Sequence, residues 1–127
     1  IETYKSGLSS LKDSNYIKAV EEFDKLYINH PFSSLAKKSE IMTAYSLYQN
    51  NEISKSISKL KTFNEMNPKD EFSDYAHYLL AMCYYIQISS QGRDPSLSLK
   101  ALNSFKLITT KYPNSRYAKD SFVLSIK

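Results

Sequence analysis

Apolar side chains recur along the chain at the spacing of a helix that buries one face. The clearest set is Tyr16, Ala19, Val20, Phe23 and Tyr27, which follows an i, i+3, i+4, i+7 pattern. Residues three and four apart lie on the same side of an α-helix, so this set predicts one apolar stripe. Similar stripes along the rest of the chain predict six helices and the start of a seventh.

Turn and breaker residues separate these stripes and group the helices in pairs. Polar turns stand at 13–15, "DSN", and at 49–52, "QNNE". Pro31, Pro68 and Pro113 each follow the second helix of a pair, and the residue before a proline is pushed out of the α region. We therefore predict an A helix, a short turn and a B helix in each pair, with the proline ending helix B.

The third pair is longer than the other two. Its A helix is predicted from about Phe72 to Ile88, followed by an inserted loop at 89–94, "SSQGRD". Asp94 is the predicted N-cap of the B helix, and Pro95 takes the first helical position, where its missing N–H costs nothing.

A seventh helix is predicted over 115–127, after the last proline. Its apolar side chains are spaced to cover the open face of the third pair, and they are Tyr117, Ala118, Phe122 and Ile126.

A fixed spacing links the three pairs. A small residue on helix B is followed four residues later by a large apolar one, and eight residues after that by the proline. Small residues also recur on the A helices, where they would let paired helices approach closely, while the large ones fill the space between repeats. The predicted packing residues are Gly7, Ala19, Phe23, Ala44, Ser56, Leu60, Ala81, Ala101 and Phe105.

This spacing predicts an all-α solenoid over residues 1–127. A repeat of about 40 residues is typical of helical arrays in which each unit packs only on its neighbours. The predicted repeats are about 1–31, 32–68 and 69–113, with the first helix of a fourth at about 114–127.

Composition narrows the classes of function. The net charge is +4, and the 17 Lys and Arg are interspersed with 13 Asp and Glu, so no face is concentrated enough to predict nucleic-acid binding. A single cysteine, Cys83, excludes an internal disulfide and suits a buried apolar position. No apolar stretch approaches the roughly 20 residues of a membrane span.

No motif in the sequence predicts catalysis. His30 and His77 have no partners at metal-ligand spacing, and Asp70 and Glu71 suit the first turn of a helix. Neither a phosphate-binding loop nor a nucleophile elbow is present. We therefore predict no enzyme activity, no metal and no cofactor.

Two stretches carry a family resemblance, "HPFSSLAKKSEIMTAYSLYQNNEISKSISKLKTFNEMNP" (30–68) and "RDPSLSLKALNSFKLITTKYPNSRYAKDS" (93–121). The pattern of paired helices resembles the tetratricopeptide repeat. This resemblance implies a right-handed superhelix of antiparallel helix pairs. The inserted "RDP" and the later "YPNSRYA" are more specific. They resemble the BamD (ComL) family of outer-membrane assembly lipoproteins, in which Ala usually stands at the position of Ser56.

The resemblance implies a non-enzymatic scaffold of the β-barrel assembly (BAM) complex on the periplasmic face of the outer membrane. The implied partners are a BamA-like barrel protein, other subunits of the complex and the C-terminal segments of unfolded outer-membrane proteins. Membrane attachment would be through a lipid anchor absent from this chain, and we expect a longer protein with further repeats. The alternative is another periplasmic repeat adaptor that scaffolds envelope proteins.

In such a superhelix the A helices line a concave groove. Aligning the A helices on Gly7, Ala44 and Ala81 predicts an aromatic groove with a basic end, suited to an apolar peptide with a free carboxylate that Lys5, Lys12 or Lys38 would meet. The alternative is that several of these tyrosines pack in the core and do not line the groove. The predicted groove residues are Tyr4, Leu8, Lys12, Lys38, Ile41, Tyr45, Gln49, Tyr75, Tyr78, Met82 and Tyr85.

Overall fold

The fold is all-α, as the apolar periodicity predicts. The computed structural model describes residues 2–91, 95–119 and 121, and this part of the chain contains helices and no strand. The helices are α1 (Glu2–Lys12), α2 (Tyr16–Asn29), α3 (Ala36–Gln49), α4 (Ile53–Met66), α5 (Ser73–Gln91) and α6 (Pro95–Lys111).

The chain divides into two compact units. The first unit is Ile1–Lys59 and the second is Leu60–Lys127, so the division falls inside α4. In the first unit α1 packs on α2, and α2 packs on α3. In the second unit α5 packs on α6.

The turns after α1 and α3 share one structure. Ser14 and Asn51 have φ values of 60° and 62°, in the left-handed region. In each turn the next amide donates back to a carbonyl of the preceding helix at 2.8 Å. This is a Schellman cap, which satisfies carbonyls that the end of a helix leaves unpaired.

The segments after the three repeat prolines also share one structure. The residue two positions after each proline, Ser33, Asp70 or Ser115, accepts a hydrogen bond on its side-chain oxygen from the amide two residues further on, at 3.0–3.2 Å. The amide three residues further on donates to its backbone carbonyl at 3.0–3.1 Å. Short polar side chains favour such turns because they replace a backbone acceptor.

All nine residues predicted for repeat packing are buried. Gly7 shows why a small side chain is required, since a Cβ added there would lie 2.6 Å from Cε1 of Phe23. Ser56 uses its hydroxyl, which donates to the carbonyl oxygen of Ala44 at 2.8 Å and so ties α4 to α3. Cys83 is buried and free.

The third pair departs from the predicted boundaries. The prediction ended its A helix at Ile88, but α5 continues to Gln91, because 89–91 contain neither Gly nor Pro to break it. Pro95 begins α6 as predicted, while the predicted N-cap Asp94 lies outside the described residues.

The described part of the predicted seventh helix is short. Helical backbone is present at 118–119 and at 121, so the first helical residue comes later than the predicted start at 115. Ser115 explains the delay, because it forms the turn that precedes the helix. Phe122 and Ile126 lie outside the described residues.

Candidate functional site

An aromatic cluster lies in the second unit. Tyr78 stacks on Tyr117 with 4.9 Å between ring centroids, and Tyr75 lies 5.3 Å from the same ring. Tyr78 and Tyr85 each meet Phe105 edge to face, at 6.4 and 6.3 Å. We call these five residues the aromatic cluster.

The sequence places the cluster through helical spacing. Three of the tyrosines lie on α5 at intervals of three and seven residues, which puts them along one side of the helix. Phe105 approaches them from α6, and Tyr117 comes from the turn after Pro113. The four tyrosines are half-buried, as is Met82 on the same helix, so the rings pack together while part of their surface stays accessible.

Arg116 provides a cation beside the cluster. Its guanidinium carbon lies 5.2 Å from the centroid of the Tyr117 ring, and the residue is exposed. A guanidinium over an aromatic face is attracted by the electron-rich ring. The sequence pattern predicted lysines at the basic end of the site and did not predict this arginine, although it stands inside the "YPNSRYA" motif.

An acidic cleft borders Ser115. Asp74 accepts a hydrogen bond on Oδ2 from the Ser115 hydroxyl at 2.7 Å. The cleft has a volume of about 330 Å³. Its lining residues are Asp70, Glu71, Asp74, Lys111, Tyr112, Pro113, Asn114 and Ser115.

His77 lies near this cleft on α5. Its Nδ1 is 3.3 Å from Nδ2 of Asn64, and its ring centroid is 6.0 Å from that of Tyr112. Burial lowers the pKa of the imidazole below its ordinary value, and the positive charge of Lys111 lowers the pKa further.

Two of the predicted groove residues in the first unit belong to its core. Tyr4 is 8% exposed and packs edge to face on Phe23 with 5.6 Å between centroids. Ile41 is 3% exposed. Lys38 is exposed, and its Nζ lies 5.7 Å from the centroid of the Tyr4 ring. The lysine thus covers a core ring that a peptide would not reach.

The other candidates of the first unit are accessible. Leu8 is 39% exposed, and Lys12 and Gln49 are exposed as well. Tyr45 is half-buried, and its hydroxyl accepts a hydrogen bond from Nε2 of Gln49 at 3.0 Å. These four residues are not joined in an aromatic cluster of the kind found in the second unit.

No three His, Cys, Asp or Glu side chains among the described residues are grouped as ligands of a metal ion. None of the described helices combines the length and apolar character needed to cross a membrane.

Comparison with known proteins gives a consistent set of matches. The profile of a family described as "YfiO: Outer membrane lipoprotein" matches residues 1–123. A protein of Rickettsia prowazekii named outer membrane protein assembly factor BamD is 36% identical over 118 residues, which cover 93% of this chain and 47% of that protein.

Proteins with the same name give similar matches in other bacteria. The one from Caulobacter vibrioides is 32% identical over 118 residues, covering 93% of this chain and 39% of its own. The one from Neisseria gonorrhoeae is 29% identical over 134 residues, covering 98% and 50%. The chain therefore spans about half the length of the curated relatives it matches.

Proposed function

Because the chain belongs to the YfiO family of outer membrane lipoproteins, we propose that it works in outer-membrane protein assembly as a non-enzymatic receiving scaffold. Its relatives are named outer membrane protein assembly factors, which supports the assembly role. The proposed location is the periplasmic face of the outer membrane, where the full-length protein is held by its lipid.

The aromatic cluster carries this proposal. Unfolded barrel segments alternate apolar and polar side chains, so a receiving surface must offer apolar area together with hydrogen-bonding groups. Tyrosine supplies both at a low entropic cost, because its ring is rigid and its hydroxyl is polar. The cluster gathers four tyrosines and one phenylalanine within ring-contact distance in the second unit.

The proposed partners follow from the family. They are unfolded outer-membrane proteins as cargo, a BamA-like barrel protein as recipient, and other subunits of the assembly complex. The accessible residues Leu8, Lys12, Tyr45 and Gln49 are proposed to contribute a separate contact in the first unit. Tyr4 and Ile41 are left out of the proposed contact surface because they are buried.

Fluorescence anisotropy tests the proposal with a labelled peptide that copies the last strand of an outer-membrane barrel. We expect saturable binding to the wild-type chain. Tyr75→Ala and Tyr117→Ala should each weaken it roughly tenfold, the usual effect of truncating a central aromatic contact. Circular dichroism confirms that each variant is folded.

Tyr27→Ala is the matched control. Tyr27 is also a tyrosine with a cation over its ring, Nζ of Lys59 at 5.2 Å, but it lies in the first unit, outside the cluster. Its truncation should leave the affinity unchanged. Equal losses for Tyr27→Ala and Tyr117→Ala, or no binding by the wild-type chain, would contradict a receiving role for the cluster.

A further inference from the structure

We propose that Arg116 binds a carboxylate of the bound segment. The anion-binding point of the chain is then at the aromatic cluster, and not at the lysines of the A helices. The ligand chemistry is a peptide carboxylate next to an apolar or aromatic side chain. The carboxylate belongs either to the C-terminus of the peptide or to an Asp or Glu side chain. This inference rests on the proposed receiving function of the cluster.

The position of the guanidinium is the first argument. Arg116 lies 5.2 Å from the centroid of the Tyr117 ring, and that ring stacks on Tyr78 at 4.9 Å. The arginine is thereby held at the end of a stack of aromatic rings while it stays exposed. A peptide side chain packed on the accessible part of these rings would bring its neighbouring carboxylate within reach of the guanidinium.

The charge around Arg116 is the second argument. No carboxylate in the described part of the chain lies within ion-pair distance of its guanidinium. Asp74 is the acidic residue tied to this segment, and its two carboxylate oxygens accept hydrogen bonds from the Ser115 hydroxyl and from the Tyr75 amide. Among the described residues, no carboxylate therefore occupies the guanidinium donors of Arg116.

The type of cation is the third argument. Four lysines also lie over tyrosine rings at 5.2–5.8 Å, namely Lys38 over Tyr4, Lys59 over Tyr27, Lys100 over Tyr84 and Lys111 over Tyr112. Tyr27 lies in the first unit, outside the aromatic cluster. Tyr4 and Tyr84 are buried, and Tyr112 lines the acidic cleft. A guanidinium also offers a planar pair of donors that matches a carboxylate, whereas an ammonium is a point charge.

The test combines two changes in the peptide with two substitutions of Arg116. The peptides are a barrel-strand peptide with a free C-terminus, its C-terminal amide, and a version in which each internal Glu and Asp is replaced by its amide. Each is titrated by anisotropy into the wild-type chain, Arg116→Gln and Arg116→Lys. Lys111→Gln is the matched control, because it removes the same charge from another cation over a tyrosine ring in the same unit.

For the wild-type chain, neutralising the recognised carboxylate should weaken binding about tenfold, as expected for a hydrogen bond to a charged group. The peptide that loses affinity identifies whether the carboxylate is terminal or internal. In Arg116→Gln that difference should disappear, Arg116→Lys should retain part of it, and Lys111→Gln should keep all of it.

Four results would overturn the inference. Equal weakening of all peptides by Arg116→Gln would show that the arginine only supports the Tyr117 ring. Equal loss of the difference in Lys111→Gln would show a net-charge effect. If neither neutralisation weakens binding to the wild-type chain, carboxylate recognition is ruled out and the receiving function stands. If the wild-type chain binds no peptide, both proposals are overturned.

Discussion

The same tyrosine–phenylalanine pair occurs in both units with different surroundings. Tyr4 meets Phe23 edge to face at 5.6 Å in the first unit, and Tyr78 meets Phe105 edge to face at 6.4 Å in the second. The two tyrosines stand three residues before the small residues Gly7 and Ala81 of their helices. Their helix register, and therefore their partner, is the same.

The surroundings decide what each tyrosine can do. Tyr4 is buried in the core of the first unit, and Lys38 lies over its ring. Tyr78 is half-buried and stacks on Tyr117, which brings Arg116 with it. An equivalent position is thus a core residue in one unit and part of a candidate binding surface in the other.

The largest expected effects come from the shared phenylalanines. Phe23→Ala and Phe105→Ala should each lower the free energy of unfolding by about 3–5 kcal/mol, because both rings are fully buried and truncation leaves a cavity. Denaturant unfolding measures the loss. Phe32→Ala is the control, since Phe32 is 100% exposed and should change stability little. If Phe105→Ala lowers the free energy of unfolding much less than Phe23→Ala does, the two tyrosine–phenylalanine pairs do not contribute equally to the cores of their units.

Gly7→Ala tests the close approach of α1 to the Phe23 ring. The added Cβ would lie 2.6 Å from the Phe23 ring, so we expect a loss of about 1–3 kcal/mol even though Ala favours helices. Thermal unfolding of Gly7→Ala and of Gly7→Ala with Phe23→Leu checks the cause. The smaller leucine should make the glycine change less costly, and an unchanged cost in that background would rule out the steric explanation.

His77 is expected to make the stability of the second unit depend on pH. Burial and then Lys111 lower the pKa of His77, so the unfolded chain binds the proton more readily. The stability that neutral His77 contributes is complete above its ordinary pKa of about 6.5 and is lost as the pH falls through the lowered value.

Melting temperatures at pH values from about 8 to about 5 measure this dependence in the wild-type chain and in His77→Gln, which stays uncharged. The wild-type melting temperature should fall more steeply on acidification. Parallel profiles for the two proteins would show that His77 does not contribute to the pH dependence.

The smallest expected effects lie in the two turns with left-handed residues. Ser14→Gly should stabilise the chain by about 0.5–1 kcal/mol, because glycine adopts a positive φ without the clash of a Cβ. Asn51→Gly should stabilise less, since asparagine tolerates this region better than serine. Denaturant midpoints compare the two, and a destabilised Ser14→Gly would show that its side chain contributes more than its backbone strain costs.

The sequence predicted the fold because its signals are local. Apolar periodicity and the three prolines located α1 to α6, and the offsets of Gly7 and Phe23 predicted that both are buried. Exposure of the tyrosines was not predictable in the same way. It depends on side chains from distant segments, such as Lys38 over Tyr4 and Tyr117 on Tyr78, that no spacing within one helix encodes.

Arg116 was missed for a related reason. A single arginine after a turn has no periodic pattern, and its position matters only because Ser115 forms a turn that sets Tyr117 against α5. The turn itself had a signal in the sequence, since the side chains of Ser33, Asp70 and Ser115 recur two residues after each repeat proline.

Amide chemical-shift mapping of the labelled chain with the barrel-strand peptide tests most directly whether the second unit receives the segment. We expect dose-dependent shifts concentrated around Tyr75, Tyr78, Arg116 and Tyr117, with the buried Tyr4 unaffected. Shifts confined to α1 and α3 of the first unit, with none around Tyr117, would contradict a receiving role for the second unit.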